Sequence, residues 1–218
     1  MERDSHQRVE MNPIVIQKDL FRKRLFDIIA STILIVCCIP LFLILPVLIV
    51  INSGRPVFFT QSRTGRNHEQ FTIIKFRTMK QTNNDGNVHK YNWNGGVPDD
   101  FVFKSSFDSK VTPIGKVLRK YSLDEVPQLF NVLLGSMSMV GPRPEIPEIT
   151  ACYNSRQAKR LHVKPGLTGY AQINGRSEIN HGQKIEYDLY YVENRSFLFD
   201  MKILLATVKY VVMGKGAY

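Results

Sequence analysis

The sequence predicts a mostly helical α+β chain associated with a membrane, and three observations carry that expectation. A charge-free apolar run is long enough for a membrane helix, two short β-branched and aromatic stretches flank a glycine-containing loop, and two later stretches repeat apolar residues at helical spacing. Among 218 residues, 29 Lys and Arg oppose 19 Asp and Glu, a net charge of +10. That balance favours an anionic partner, whether nucleic acid, an anionic lipid surface or phosphorylated substrates. Cys37, Cys38 and Cys152 show no metal-ligand spacing and give no disulfide framework, and the five histidines form no zinc pattern. The chain reads as one of a reducing compartment.

The apolar run comes first. No charge lies between Asp27 and Arg55, and Ile28 to Ile51 is almost wholly apolar, enough as a helix to reach across the roughly 30 Å core of a bilayer. A cleaved signal peptide fits badly, because the run is long, starts late and lacks a small-residue cleavage motif. Basic residues flank both sides: Lys18, Arg22, Lys23 and Arg24 before it, Arg55, Arg63, Arg66 and Lys75 after it. Both flanks therefore favour the cytoplasm. Pro40, midway, would kink a helix into arms of about 12 residues, each roughly 18 Å long. Prolines also occur in spanning helices, so the residues alone leave a re-entrant hairpin and a single span both open.

Next, PVFFTQ (56–61) and FTIIKF (71–76) predict a β-hairpin around the long loop SRTGRNHEQ. Residues 81–110, rich in Asn, Gly, Asp and Ser, read as a mobile surface loop. In PIGKVLRKYS, Ile114, Val117, Leu118 and Tyr121 share one helical face, with Lys116, Arg119 and Lys120 off it. FLFDMKILLATVKYVVM (197–213) is amphipathic too, and its charges at Asp200, Lys202 and Lys209 argue for packing or interfacial burial over a second span. No internal repeat or linker divides the remainder.

Three stretches carry candidate chemistry. YSLDEVPQLFN (121–131) sets Asp124 beside Glu125 just after Lys116, Arg119 and Lys120. Ser122-x-x-Glu125 fits a helix capping box, and an acidic pair in basic surroundings also fits a reaction centre. MVGPRPE holds Arg143 between prolines, which stiffens the presentation of a guanidinium suited to bidentate phosphate binding. VKPGLTGYAQINGR (163–176) offers three glycines, two amides and Arg176, as close backbone approach to a nucleotide would require.

KRLFD (23–27), KFRTM (75–79), VTPIGKVLRKYSLDEVPQLFNVL (111–133), SMVGPRP (138–144), VKPGLTGYAQINGR (163–176) and EYDLYYVEN (186–194) together resemble the bacterial sugar transferases, the monotopic phosphoglycosyl transferases of glycan assembly, in order and spacing. The resemblance covers Lys23 to Val212. It implies an α+β, mostly helical monotopic membrane protein: an N-terminal tail (1–22), a re-entrant helix hairpin (23–54), a catalytic domain on the cytosolic face (55–213) carrying interfacial amphipathic helices and a small β-hairpin, and a C-terminal tail (214–218). The hairpin's anchor points would be Lys23, Arg24 and Pro40.

For chemistry, the resemblance implies that Asp124 attacks the β-phosphate of a UDP-sugar, releases UMP and holds the phosphosugar until undecaprenyl phosphate takes it. Glu125 and Asp124 would hold Mg²⁺, while Lys75, Arg119, Arg143, Arg176 and Asp188 would bind substrate. The setting implied is the cytoplasmic face of a bacterial inner membrane with anionic lipid, where downstream glycosyltransferases use the product and a homo-oligomer is compatible. The sequence departs from the family pattern at Ile39-Pro40, where Ser-Pro is usual, at Tyr170 and His181, where Trp is usual, and at Ser136, which replaces an acid. A non-catalytic adaptor binding anionic lipid would explain the charge and the anchor, but not the set of motifs. Nucleic-acid binding is disfavoured by the membrane segment and the lack of an aromatic-basic stacking pattern.

Overall fold

The structure, a computed structural model, describes residues 13–80, 91, 93, 95–102, 110–175 and 179–214, with side chains from residue 21 onward. Most of the 81–110 loop, together with residues 176–178 and 215–218, lies outside the described residues.

Helix α1 (Pro13–Cys37) and helix α2 (Ile39–Ser53) carry the apolar run. Phe21–Cys37 and Ile39–Ser53 are bent by 58° against each other. Among the described residues no single helix is long and apolar enough to cross a membrane, although this bent pair qualifies together. The break falls at Cys38 (φ −89°, ψ 3°), two residues before the proline expected to mark it. Pro40 instead sits in the first turn of α2, where its missing N–H costs no helix bond that this turn would have made internally. The arms are unequal, and α1 begins ten residues before Lys23, inside the stretch read as a tail.

Strands β1 (Phe58–Thr64) and β2 (Gln70–Phe76) pair antiparallel, Phe58 opposite Phe76 and Thr64 opposite Gln70. The predicted hairpin is present, and its loop is shorter than expected because Arg63 and Thr64 stay in the ladder. Asn67 and His68 close the turn with positive φ. Helix α3 (Pro113–Lys120) starts on Thr112, whose hydroxyl accepts the Gly115 N–H, and buries Leu118, while Val117 and Tyr121 of the predicted apolar face stay exposed. After the 3₁₀ turn Leu123–Glu125 comes α4 (Gln128–Leu134), ended by Gly135 at φ 95°.

Strand β3 (Ser138–Val140) then pairs in parallel with β4 (Gly166–Thr168). The glycines here serve backbone-to-backbone approach. A Cβ at Gly166 would fall 2.0 Å from the Gly141 amide nitrogen, and one at Gly169 would fall 2.2 Å from the Gly141 carbonyl oxygen. Those two glycines face protein backbone, which corrects the expectation that they open a path for a nucleotide. Short helices α5 (Pro147–Thr150), α6 (Ser155–Ala158) and α7 (Tyr170–Ile173) lead to α8 (His181–Asn194) and α9 (Phe197–Val212).

The main core gathers Ile73, Leu129, Val132, Met137, Met139, Val140, Tyr191 and Ile203, with Phe26, Ala30 and Ile35 of α1 against it. A second cluster seats Leu45 and Ile49 of α2 on Phe76 and Leu118. Polar pins reinforce both arms. Asp27 accepts from the Met139 N–H (2.9 Å) and the Ser138 hydroxyl (3.1 Å), and Arg24 donates to the Val132 and Leu133 carbonyls, both at 2.7 Å. Lys23 reaches Asp200, Tyr191 and the Val140 carbonyl. Lys23 and Arg24, expected as anchor points at the entry of the hairpin, thus grip the protein itself. At the other arm, buried Arg77 donates to the Ser53, Gly54 and Arg55 carbonyls at the end of α2. The outer faces remain apolar and exposed: Ile33, Val36, Leu43, Val47 and Ile51 on the bent pair, and Leu198, Leu205, Val208 and Val212 on α9.

Candidate active site

Ser122 adopts a left-handed backbone (φ 53°) and its side chain caps nothing. The capping-box reading is therefore overturned. Its geometry needs an extended residue at position 122, and the chain instead makes a sharp reversal there between α3 and the 3₁₀ turn that carries Asp124 and Glu125. No long helix begins at the pair, so a helix dipole does not account for their charge states.

The neighbours account for them. Glu125 Oε1 accepts from Lys75 Nζ at 2.7 Å and from Arg143 Nη2 at 2.7 Å, and Arg143 Nη1 lies 3.4 Å from Oε2. Burial alone raises the Glu125 pKa, but Arg143 and Lys75 outweigh it and hold the carboxyl far below the usual range. Conversely, Glu125 raises the pKa of Arg143, and burial lowers that of Lys75. The Arg143 fork, expected on phosphate, is occupied by Glu125 in this structure.

Asp124 is treated differently. It is 9% exposed, and among the described residues its carboxylate has no hydrogen-bond partner. Burial first, and the Glu125 charge second, raise its pKa, against Lys75, Arg143 and Arg119. A carboxylate so placed keeps its lone pairs available and binds its charge less tightly than its neighbour does. Arg119 commits only Nε, to the Thr78 hydroxyl at 3.0 Å, so its terminal nitrogens make no hydrogen bond among the described residues.

Behind Arg143 the Pro142–Glu145 turn is held at every carbonyl. The Pro142 oxygen accepts from Gly166 N (2.9 Å), Arg143 from Arg160 Nη2 (2.9 Å), Pro144 from Arg63 Nη1 (3.1 Å) and Glu145 from Thr64 N (2.9 Å). Asp188 belongs to this support. It is 1% exposed and accepts from Arg160 Nε at 2.8 Å, which puts it behind Arg143 and out of reach of the open surface where it was expected to meet substrate. Arg176 lies outside the described residues. The structure thus brings Lys75, Arg119, Asp124, Glu125 and Arg143 together, while Arg63, read only as a basic flank of the apolar run, and Arg160 were missed as supports of the site because their partners are far along the chain.

Asp124 and Glu125 offer hard oxygen donors of the type that holds Mg²⁺ alongside substrate phosphates, and Glu125 Oε2 has spare capacity; among the described residues no group of three or more Asp, Glu, His or Cys side chains is placed to hold a metal ion by itself. The site thus holds a pair of adjacent carboxylates, one clamped by cations and one left open.

Comparison with known proteins agrees in class. The bacterial sugar transferase family model matches residues 18–214. An uncharacterized sugar transferase, EpsL of Bacillus subtilis (strain 168), is 42% identical over 89% of each chain. The exopolysaccharide production protein ExoY of Rhizobium meliloti (strain 1021) is 36% identical over 90% of this chain and 88% of its own. The UDP-glucose:undecaprenyl-phosphate glucose-1-phosphate transferase of Klebsiella pneumoniae is 40% identical over 90% of this chain, which spans 41% of that protein. The chain belongs to the bacterial sugar transferase family and is a sugar-phosphate transferase.

Proposed function

We propose that this chain moves a phosphosugar from a UDP-sugar to undecaprenyl phosphate, the first membrane-bound step in building a bacterial surface glycan, with Asp124 as nucleophile. The observation that carries the reading is the contrast within the acidic pair, an unpaired Asp124 carboxylate beside a Glu125 clamped by Lys75 and Arg143. An Asp124 oxygen attacks the β-phosphorus, the bond from that phosphorus to the bridging oxygen breaks, and UMP leaves with that oxygen. A phosphate oxygen of the acceptor then attacks the same phosphorus, and the Asp124 carboxylate is regenerated. Arg119, with its terminal nitrogens uncommitted, screens the incoming diphosphate, and Lys75 and Arg143 fix the charge of Glu125 throughout. Asp124 and Glu125 Oε2 would hold Mg²⁺, whose chemistry there is to neutralise phosphate charge.

The exposed apolar faces of the bent pair and of α9 support a re-entrant hairpin in the cytoplasmic leaflet, since a band of this size is uncommon on soluble monomers. Intact-protein mass after mixing with UDP-sugar and Mg²⁺, without acceptor, tests the chemistry. A phosphosugar adduct is expected in the wild type and absent in Asp124→Asn; an adduct in that variant would reject Asp124 as the nucleophile.

A further inference from the structure

We infer that the buried Arg160–Asp188 pair is a positioning device that aims the Arg143 guanidinium at Glu125, a role resting on the transferase reading above. Arg160 is 1% exposed, and between them its three nitrogens reach three parts of the chain. Nε meets Asp188 of α8 at 2.8 Å, Nη1 meets the Tyr153 hydroxyl at 2.7 Å, and Nη2 lies 2.5 Å from the same Asp188 oxygen and meets the Arg143 carbonyl at 2.9 Å. Glu145, two residues beyond Arg143, lies 3.9 Å from Arg160 Nη1 and takes Lys184 of α8 as its nearer partner. The guanidinium is therefore a rigid three-way bracket between α8, the segment after α5 and the Pro142–Glu145 turn.

A buried ion pair is a poor way to gain stability alone, because desolvation offsets most of its attraction. What this pair adds is direction. With the backbone oxygen of Arg143 fixed and prolines on either side, the side chain leaves the turn along one line, which ends at Glu125 2.7 Å away. Arg160 and Asp188 reach neither the open surface nor Asp124, so their effect on turnover passes through Arg143.

That dependence is testable by a double-mutant cycle on the full-length protein in lipid, with UMP release as the readout. Arg160→Lys keeps a charge for Asp188 but cannot reach Tyr153 and Arg143 together. Asp188→Asn keeps the side-chain shape and weakens the bracket from its other end, and it decides the matter if Arg160→Lys does not fold. Each change is expected to lower kcat about tenfold or more in the wild-type background, with KM for the UDP-sugar moved less than threefold. In an Arg143→Lys background the same change is expected to cost less than twofold. Equal losses in both backgrounds, or a full effect on KM alone, would overturn the positioning role. Absence of UMP release from the wild type would instead overturn the proposed reaction, so the two failures are distinct.

Discussion

Asp124 and Glu125 are adjacent, yet their removal has opposite consequences for the fold. Glu125→Gln leaves Lys75 and Arg143 facing a neutral amide inside the protein, and breaking a buried pair in this way costs on the order of 3 kcal/mol. Chemical denaturation is expected to show a clear fall in midpoint. Asp124→Asn removes a charge that burial and Glu125 already oppose and breaks no hydrogen bond among the described residues, so its midpoint is expected to stay the same or rise while turnover is lost. A fall equal to that of Glu125→Gln would contradict the free carboxylate. His181 gives a second test at this scale. Its ring packs between Phe101 and Tyr153, and its buried Nε2 has no hydrogen-bond partner among the described residues. His181→Phe is expected to raise the melting temperature, by a gain of about 1 kcal/mol, with activity retained. Lys75, Arg119, Asp124, Glu125 and Arg143 were legible in the sequence because the motifs bring them together. Asp188 was misread, since nothing along the chain reveals that Arg160, 28 residues earlier, claims its carboxylate.

Among the elements, the hairpin and the amphipathic helices were legible from periodicity, as each is long enough to show a pattern. The β3–β4 pair was not, because strands of three residues are too short to show a period and look like loops until the partner is known. Gly166 is what makes that pair close. Gly166→Ala would drive a methyl into the Gly141 amide, and a loss of more than about 3 kcal/mol, or failure to fold, is expected in thermal denaturation. The bend between α1 and α2 was anticipated from Pro40 but lies at Cys38, since the proline's missing N–H is easiest to accommodate in a first turn. On the re-entrant reading, single cysteines placed at Arg22 and Ser62 in a cysteine-free background both escape membrane-impermeant labelling from outside intact cells. Efficient external labelling at either position would reject that topology.

The molecule as a whole carries a buried ionic layer whose response to acid has a definite sign. Burial first, then Lys184 and Arg160, push the His181 pKa down to about 4 from its ordinary 6.5. A base whose folded pKa is depressed takes up its proton more readily when unfolded, so stability falls as pH drops from 6.5 towards 4. Burial raises Glu145, but Lys184 and Arg160 prevail and hold it at about 2, below its ordinary 4.5. Its contribution is complete above pH 4.5 and is lost as pH falls towards 2. Each shift is worth about 3 kcal/mol at most. Denaturation midpoints are therefore expected to decline in two stages below pH 6.5, and the first stage is expected to vanish in His181→Phe. An unchanged upper stage in that variant would assign it to another group.

Strand β2 has a bearing on distance. Arg77, the residue that follows β2, fastens the end of α2, Lys75 within β2 grips Glu125, and the two lie two residues apart along extended chain, a rise of about 7 Å. Strand β2 thus works as a ruler that sets the height of the carboxylates above the apolar hairpin. With that hairpin seated in lipid, as proposed, the reacting phosphorus lies at the level of the headgroups. The acceptor can then present its phosphate sideways, with its long tail still dissolved among its neighbours. The short gauge between Arg77 and Lys75 replaces the work of lifting an insoluble chain into water.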